Sequence, residues 1–259
     1  MKIGVCFKIV PDFEEVPIEE WSGESGPGFT YVKKMYGCFD EAALETALCL
    51  KDSCKQSNID VEAVAVTVGA GDGAVSESLL RGLFAAGFDD VVLLPKRDPF
   101  DPEDTACALV DWFKMNPVDL IFTGRSTGPN DSGLMPYYLA RGLGFSVIGE
   151  VISARWDNGV MLSHMGSDQI KAELPCVITV GNSDTPILRL FPLKARMEAQ
   201  KRAFTDQRRQ TEHGENDEWG MRDDKIMIRG EKIRDANCQI VDEKEAAKFL
   251  MKKISEVKR

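Results

Sequence analysis

Histidine is nearly absent and cysteine is never paired: the 259-residue chain holds two histidines, His164 and His213, and seven cysteines, none in a C-x-x-C spacing. Tetrahedral zinc and iron–sulfur sites need such spacings, so neither is expected. Neither histidine accompanies a nucleophile elbow, which leaves no Ser/His/Asp set to propose. No run reaches the roughly 18 apolar residues of a membrane-spanning helix, and MKIGVCFKIV is too short and too β-like for a secretory signal. A cytoplasmic protein with reduced, mostly buried thiols is therefore expected. Basic charge is in deficit, with 32 Lys and Arg against 42 Asp and Glu and a net charge of -10, which argues against nucleic acid as a partner. The phosphate loop G-x-x-x-x-G-K-[ST] does not occur. Gly69, Gly71 and Gly73 stand two apart rather than in G-x-G-x-x-G, and no acidic residue about 20 positions on closes a following strand. They make either a tight strand-to-helix turn or a backbone that faces a ligand.

What is present is an alternation. Apolar, β-branched runs at 2–10, 61–69, 90–95, 118–124 and 174–181 read as strands buried on both faces. Helix-period segments lie between them at 40–55, 74–87, 104–116 and 134–144. In the first, Ala43, Leu44, Ala47, Leu48 and Leu50 share a stripe, and Glu41, Glu45 and Lys51 are expected to point away from it. The order predicts right-handed βαβ crossovers: an α/β, doubly wound, mainly parallel sheet with helices on both faces. Asn158-Gly159 between two strand-like runs, 151–164, predicts an antiparallel hairpin. The α/β domain is expected over 1–185. Residues 186–259 read as an arm, a linker and a C-terminal helix at 242–257, whose stripe of Ala246, Phe249, Leu250 and Ile254 needs a surface to cover.

Ligands in such folds bind outside the carboxyl ends of the strands, so the turns after 10, 69 and 124 are the places for a site. TGRSTGPNDSGLMPYYLARGLG, 123–144, leaves a strand through small and polar residues into an amphipathic segment. Pro136 lacks an N–H and belongs in a first helical turn, which puts the helix start at about 133–135. The amides of Asp131, Ser132, Gly133, Leu134 and Met135 would then offer an anion several donors at a helix mouth. Alternatively, Asp131 or Ser132 serves only as an N-cap.

In order along the chain, these pieces resemble the electron-transfer flavoprotein β-subunit family over about 1–205. VCFKIVPDF is similar to the family's V-x-V-K-x-V-x-D-Y/F opening, and Gly37, Cys38, Phe39, Asp40 and AALETALCLKD stand where members carry N-P-F/Y-[CD]-x-x-A-[VL]-E-x-A-x-x-L-K. AVTVGAG resembles their V-x-x-G-P turn, LLRGLFAAGFDDVVLL their L-R-x-x-L-A-x-G-A-D segment, and LPCVITVG the P-x-[LIVM]-[LIVM]-T end of their signature. Gly124, Arg125, Asp131 and Ser132 keep their places in the loop G-[KR]-Q-A-I-D-x-D-x-x-Q-[TV]-G. Pro129, Leu134 and Pro136 depart from it, Gly37-Cys38 replaces Asn-Pro, and the first half of the signature is missing around Ser163–Gly166.

The resemblance implies an electron carrier rather than an enzyme with its own substrate. FAD would be held mainly by an α-subunit, and AMP or a second FAD would lie in the β-subunit site, its phosphate on Asp131–Met135 and its adenine towards Cys6, Gly37–Asp40 and Val68. Phe13 and Phe39 match aromatic positions near the flavin ring, or are ordinary core. Electrons would pass from flavin dehydrogenases of the acyl-CoA type to a quinone reductase or similar acceptor. The segment 186–202 matches a docking element, with Leu190 or Leu193 as anchor and Lys194 and Arg196 at the rim, unless it only embraces the α-subunit. Two alternatives remain, a stand-alone adenine-nucleotide sensor of similar fold and the β-subunit of a bifurcating complex.

Overall fold

A computed structural model describes residues 1–16, 32–69, 76–95, 101–126, 132–164 and 169–207. Its strands are β1 (Lys2–Cys6), β2 (Ile9–Pro11), β3 (Lys34–Tyr36), β4 (Glu62–Val68), β5 (Asp90–Leu94), β6 (Leu120–Gly124), β7 (Ser146–Trp156), β8 (Val160–His164), β9 (Gln169–Lys171), β10 (Cys176–Val180) and β11 (Thr205–Asp206). The helices are α1 (Cys38–Gln56), α2 (Glu77–Ala86), α3 (Pro102–Met115), α4 (Met135–Leu143) and α5 (Leu193–Ala199). The β-branched runs form the centre of a nine-stranded sheet, ordered β11-β5-β4-β1-β6-β10-β7-β8-β9. From β11 to β7 the pairing is parallel, and β8 and β9 extend it antiparallel. The doubly wound α/β expectation therefore holds. β2 and β3 form a separate antiparallel ribbon.

Period-two alternation divides the strand side chains between two helical layers. Ile3, Val5, Ala63, Ala65, Leu120, Phe122, Ile178 and Val180 pack with the apolar stripes of α1 and α2. Gly4 faces the other layer, where a Cβ would stand 2.6 Å from the Phe113 ring of α3, so only glycine admits that ring against β1. Asp101 caps α3 by accepting from the amides of Glu103 and Asp104, and Pro102 occupies the first turn, where no N–H is needed. Asn158 (φ 50°) and Gly159 (φ 142°) turn β7 into β8 as their sequence predicts.

Glu45 of α1 is buried, because residues 188–190 cross over it. Beyond that crossing, Arg81 donates to the carbonyls of Gln200 and Arg202, Arg202 donates to those of Phe88 and Asp89, and β11 joins β5. The chain after 186 thus returns to the edge of its own sheet. The expected helix at 242–257 lies outside the described residues, as do Gly71, Gly73, Pro129 and Asp131.

Candidate functional site

From β1 the chain winds outward through β4 and β5, then returns to the opposite side of β1 as β6. The crevice beyond the carboxyl ends of β1 and β6 is thus the topological switch point, where side chains and loops diverge enough to admit a ligand. Cys6 ends β1, Gly124 ends β6, and Val68, half-buried, ends the neighbouring β4.

Asp40, in the first turn of α1, closes the base of this crevice. One carboxylate oxygen accepts from the Lys8 amide at 3.0 Å and the other from the Gly124 amide at 3.2 Å. Gly37 donates its amide to the Lys8 carbonyl at 2.9 Å, so the helix entry is tied to the segment after β1 twice. The approach is close enough to demand glycine: a Cβ on Gly124 would lie 2.8 Å from both the Asp40 nitrogen and the Phe39 carbonyl carbon. Burial, and then the Asp40 charge, push the Cys6 thiol far above its ordinary pKa, so Cys6 is a neutral wall and not a nucleophile.

Above this base the Arg125 guanidinium lies over the half-buried Phe39 ring, 4.4 Å from its centroid. Its backbone is fixed by an amide hydrogen bond to the Val180 carbonyl at 2.9 Å. Gly133 (φ 61°) brings the start of α4 back to this point, since a Cβ there would be 3.2 Å from the Arg125 carbonyl oxygen. Pro136 does sit in the first turn of α4. Ser132 is not the N-cap, however. Leu134 takes that position without a side-chain cap, and the Ser132 hydroxyl instead accepts the Leu134 amide at 3.3 Å, so that amide is not free for a ligand. Of the expected ligand-side residues, Cys6, Gly37, Phe39, Asp40, Gly124, Arg125 and Gly133 are brought together. Cys38 is exposed at the first turn of α1, and Met135 opens α4. Phe13 opens the 3-10 turn Phe13–Glu15 that follows β2.

Two residues of this crevice are not evident from local pattern. Thr123 is fully buried, and its hydroxyl has no hydrogen-bond partner among the described residues. Thr179 stands beside it in register on β10 and accepts the Glu150 amide at 3.2 Å. Among the described residues Arg125 Nε, like the Thr123 hydroxyl, is a buried polar atom without a hydrogen-bond partner.

Residues 188–199 lie on the α1–α2 layer. Arg189 donates through Nε to both oxygens of Glu45, at 2.9 and 3.1 Å, and its guanidinium also pairs with Asp52; its pKa is raised, chiefly by the Glu45 hydrogen bonds. Leu188 donates its amide to Glu41 at 3.1 Å. Held this way, the chain projects Leu190, 98% exposed, with Leu193 71% exposed beside it. Arg196 lies 5.5 Å from the Phe191 ring centroid, and Lys194 is solvent-facing near Glu198. A cavity of about 820 Å³ adjoins them, walled by Tyr36, Leu79, Leu188 and Phe191.

A family model for the electron transfer flavoprotein domain matches residues 37–208, from the entry of α1 to the end of β11, and so spans both the crevice and the projecting segment. The chain belongs to the electron transfer flavoprotein family. It stands on the β-subunit side, and its role is that of an electron-transfer subunit. It is 29% identical over 211 residues to a putative electron transfer flavoprotein subunit, YgcR, of Escherichia coli K12, which covers 78% of this chain and 79% of that one. It is 30% identical over 190 residues to the caffeyl-CoA reductase–Etf complex subunit CarD of Acetobacterium woodii, covering 69% and 68% of the two chains. The electron transfer flavoprotein β-subunit of Megasphaera elsdenii is 31% identical over 160 residues, 57% of this chain and 55% of that one. Family membership carries association with flavin. No helix among the described residues is long and apolar enough to cross a membrane.

Proposed function

We propose that this chain is the β-subunit of a heterodimeric electron-transfer flavoprotein. It would take electrons from flavin dehydrogenases of the acyl-CoA type and pass them to a quinone reductase or similar acceptor, in the cytoplasm and without a substrate of its own. The observation that carries the reading is the switch-point crevice, where Arg125 lies over Phe39 and Asp40 locks the ends of β1 and β6 together. FAD, when bound mainly to the α-subunit, supplies the group that accepts and releases electrons. Phe39 and Phe13 would shield one side of it from water, and Arg125, Thr123, Gly133 and the amino end of α4 would hold an adenine nucleotide phosphate. Residues 1–185 would form the nucleotide-binding domain, and 186–259 the docking loop and an arm with a helix packed on the α-subunit.

Co-purification with an α-subunit, denaturation and chromatography of the released nucleotides test this. One FAD with one AMP supports the reading, and a colourless homodimer would replace it with an adenine-nucleotide sensor. Two FAD would favour the bifurcating reading, with a second FAD in the crevice; the relative CarD, named as a subunit of a reductase–Etf complex, gives that reading its support. Leu190 and Leu193, bare on a segment pinned through Arg189, would anchor the dehydrogenase, with Lys194 and Arg196 raising the association rate. Replacing both leucines with alanine is expected to slow reduction by the dehydrogenase while FAD content stays the same. Unchanged kinetics would count against the docking role.

A further inference from the structure

Glu150 stands on the rim of the crevice in a conformation that its residue type disfavours. Between Ile148 and Val151 the register of β7 against β10 slips, and Glu150 takes φ 54°, in the left-handed region. Its carboxylate turns back over Gly181, where any Cβ would collide with it. Oε1 lies 3.5 Å from Arg125 Nη1, with the two side chains 58% and 40% exposed. A pair so exposed adds little to stability, and the left-handed backbone opposes it. Stability alone therefore does not account for the arrangement. The same guanidinium lies over Phe39, and its Nε is buried without an acceptor among the described residues. Arg125 is thus held in place by its amide bond to Val180 and by the Phe39 ring, yet only partly neutralised.

We propose that Glu150 is an internal counter-ion for Arg125 that competes with the ligand's phosphate and so sets how tightly this crevice holds an adenine nucleotide. The proposal rests on the nucleotide reading of the crevice above. Without ligand, the carboxylate occupies the exposed Nη1 side of the guanidinium. A phosphate, with more acceptor oxygens and more charge, takes its place there. Glu150 is then released towards solvent, where its exposure makes the charge inexpensive to hydrate. The same chemistry would serve the monophosphate of AMP or the pyrophosphate of FAD, and both are to be tested.

Calorimetric titration of the full chain with AMP, adenosine and FAD, in the wild type, Glu150→Gln, Arg125→Gln and the double variant, decides the matter. Glu150→Gln is expected to tighten AMP or FAD by about two- to fivefold, the factor that an ordinary half-exposed ion pair represents. Adenosine, without phosphate, is expected to be unaffected. Arg125→Gln is expected to weaken the phosphate-bearing ligands by about tenfold or more, and in that background Glu150→Gln is expected to add nothing. A gain with AMP alone or with FAD alone identifies which phosphate occupies the site. Glu150→Gly, which the left-handed backbone favours, is a second variant should the glutamine protein fold poorly. If wild type binds AMP or FAD and neither variant tightens it, the counter-ion role is overturned while the nucleotide reading stands. An equal gain for adenosine, or a gain that survives Arg125→Gln, overturns it as well. Binding of neither nucleotide by any form refutes the nucleotide site and the proposal together.

Discussion

Asp40 commits both carboxylate oxygens to backbone amides of two different strand ends, and an asparagine there could accept only one of the two bonds. Its amide nitrogen would face an N–H across a buried gap. Asp40→Asn is therefore expected to lower unfolding free energy by about 1–3 kcal/mol, read from urea denaturation, because a desolvated donor is left unpaired. An unchanged midpoint and slope would show that the carboxylate is not needed as an acceptor. Gly124 fails for a different reason. The atoms that an added methyl meets belong to the main chain of Phe39 and Asp40, so a rotamer change cannot relieve the clash. Gly124→Ala is expected to cost about 1–3 kcal/mol by overpacking and to displace the entry of α1. Thermal unfolding measures the first effect and nucleotide content of the purified protein the second.

The element that most departs from its sequence pattern is α1. A helix with a single apolar stripe turns a charged face to water, but α1 is covered on its second side by residues 188–190, so Glu45 is buried and needs a cation. Arg189 supplies it while remaining 30% exposed, which screens part of the attraction. Arg189→Ala is expected to cost about 1–3 kcal/mol, mainly from the buried carboxylate left behind. It is also expected to speed proteolytic cleavage within 187–193; an equal cleavage rate would show that other contacts pin the loop. Leu190→Ala is expected to change stability by less than about 0.5 kcal/mol, since the side chain touches little of its own chain. The two variants separate holding the loop from using it.

At the scale of the whole molecule, the buried thiols report the integrity of the two-layer packing. Burial raises the pKa of Cys6, Cys54 and Cys176, the last from 9.0 to about 11. The folded state holds these protons more tightly than the unfolded chain, and for Cys176 the contribution to stability is complete below about pH 9 and is lost as pH rises through about 11. The melting temperature is expected to be insensitive to these groups near neutrality and to fall across that alkaline window. Mass spectrometry after brief alkylation at pH 8 is expected to find Cys38, exposed at the first turn of α1, modified well before Cys6 and Cys176. Equal labelling would mean that the sheet opens far more readily than its packing implies.

Local pattern determined the elements of this protein, because the steric and burial rules that write it act over a few residues. Apolar runs became strands, Asn158-Gly159 became the hairpin turn, Pro136 marked the first turn of α4, and Gly124-Arg125 stood at the crevice. The ordered motifs were also enough to indicate the family. Strand order was not legible, and with it the switch point, because pairing β6 beside β1 joins residues more than a hundred positions apart. For the same reason only the tertiary structure showed that Asp40 reaches Gly124 across 84 residues and that Arg189 reaches Glu45 across 144. Thr123 and Glu150 carried no local signal. A threonine in a strand and a glutamate near a strand end are ordinary, and only the folded sheet sets Thr123 in register with Thr179 on β10 and Glu150 against Arg125 at the end of β6.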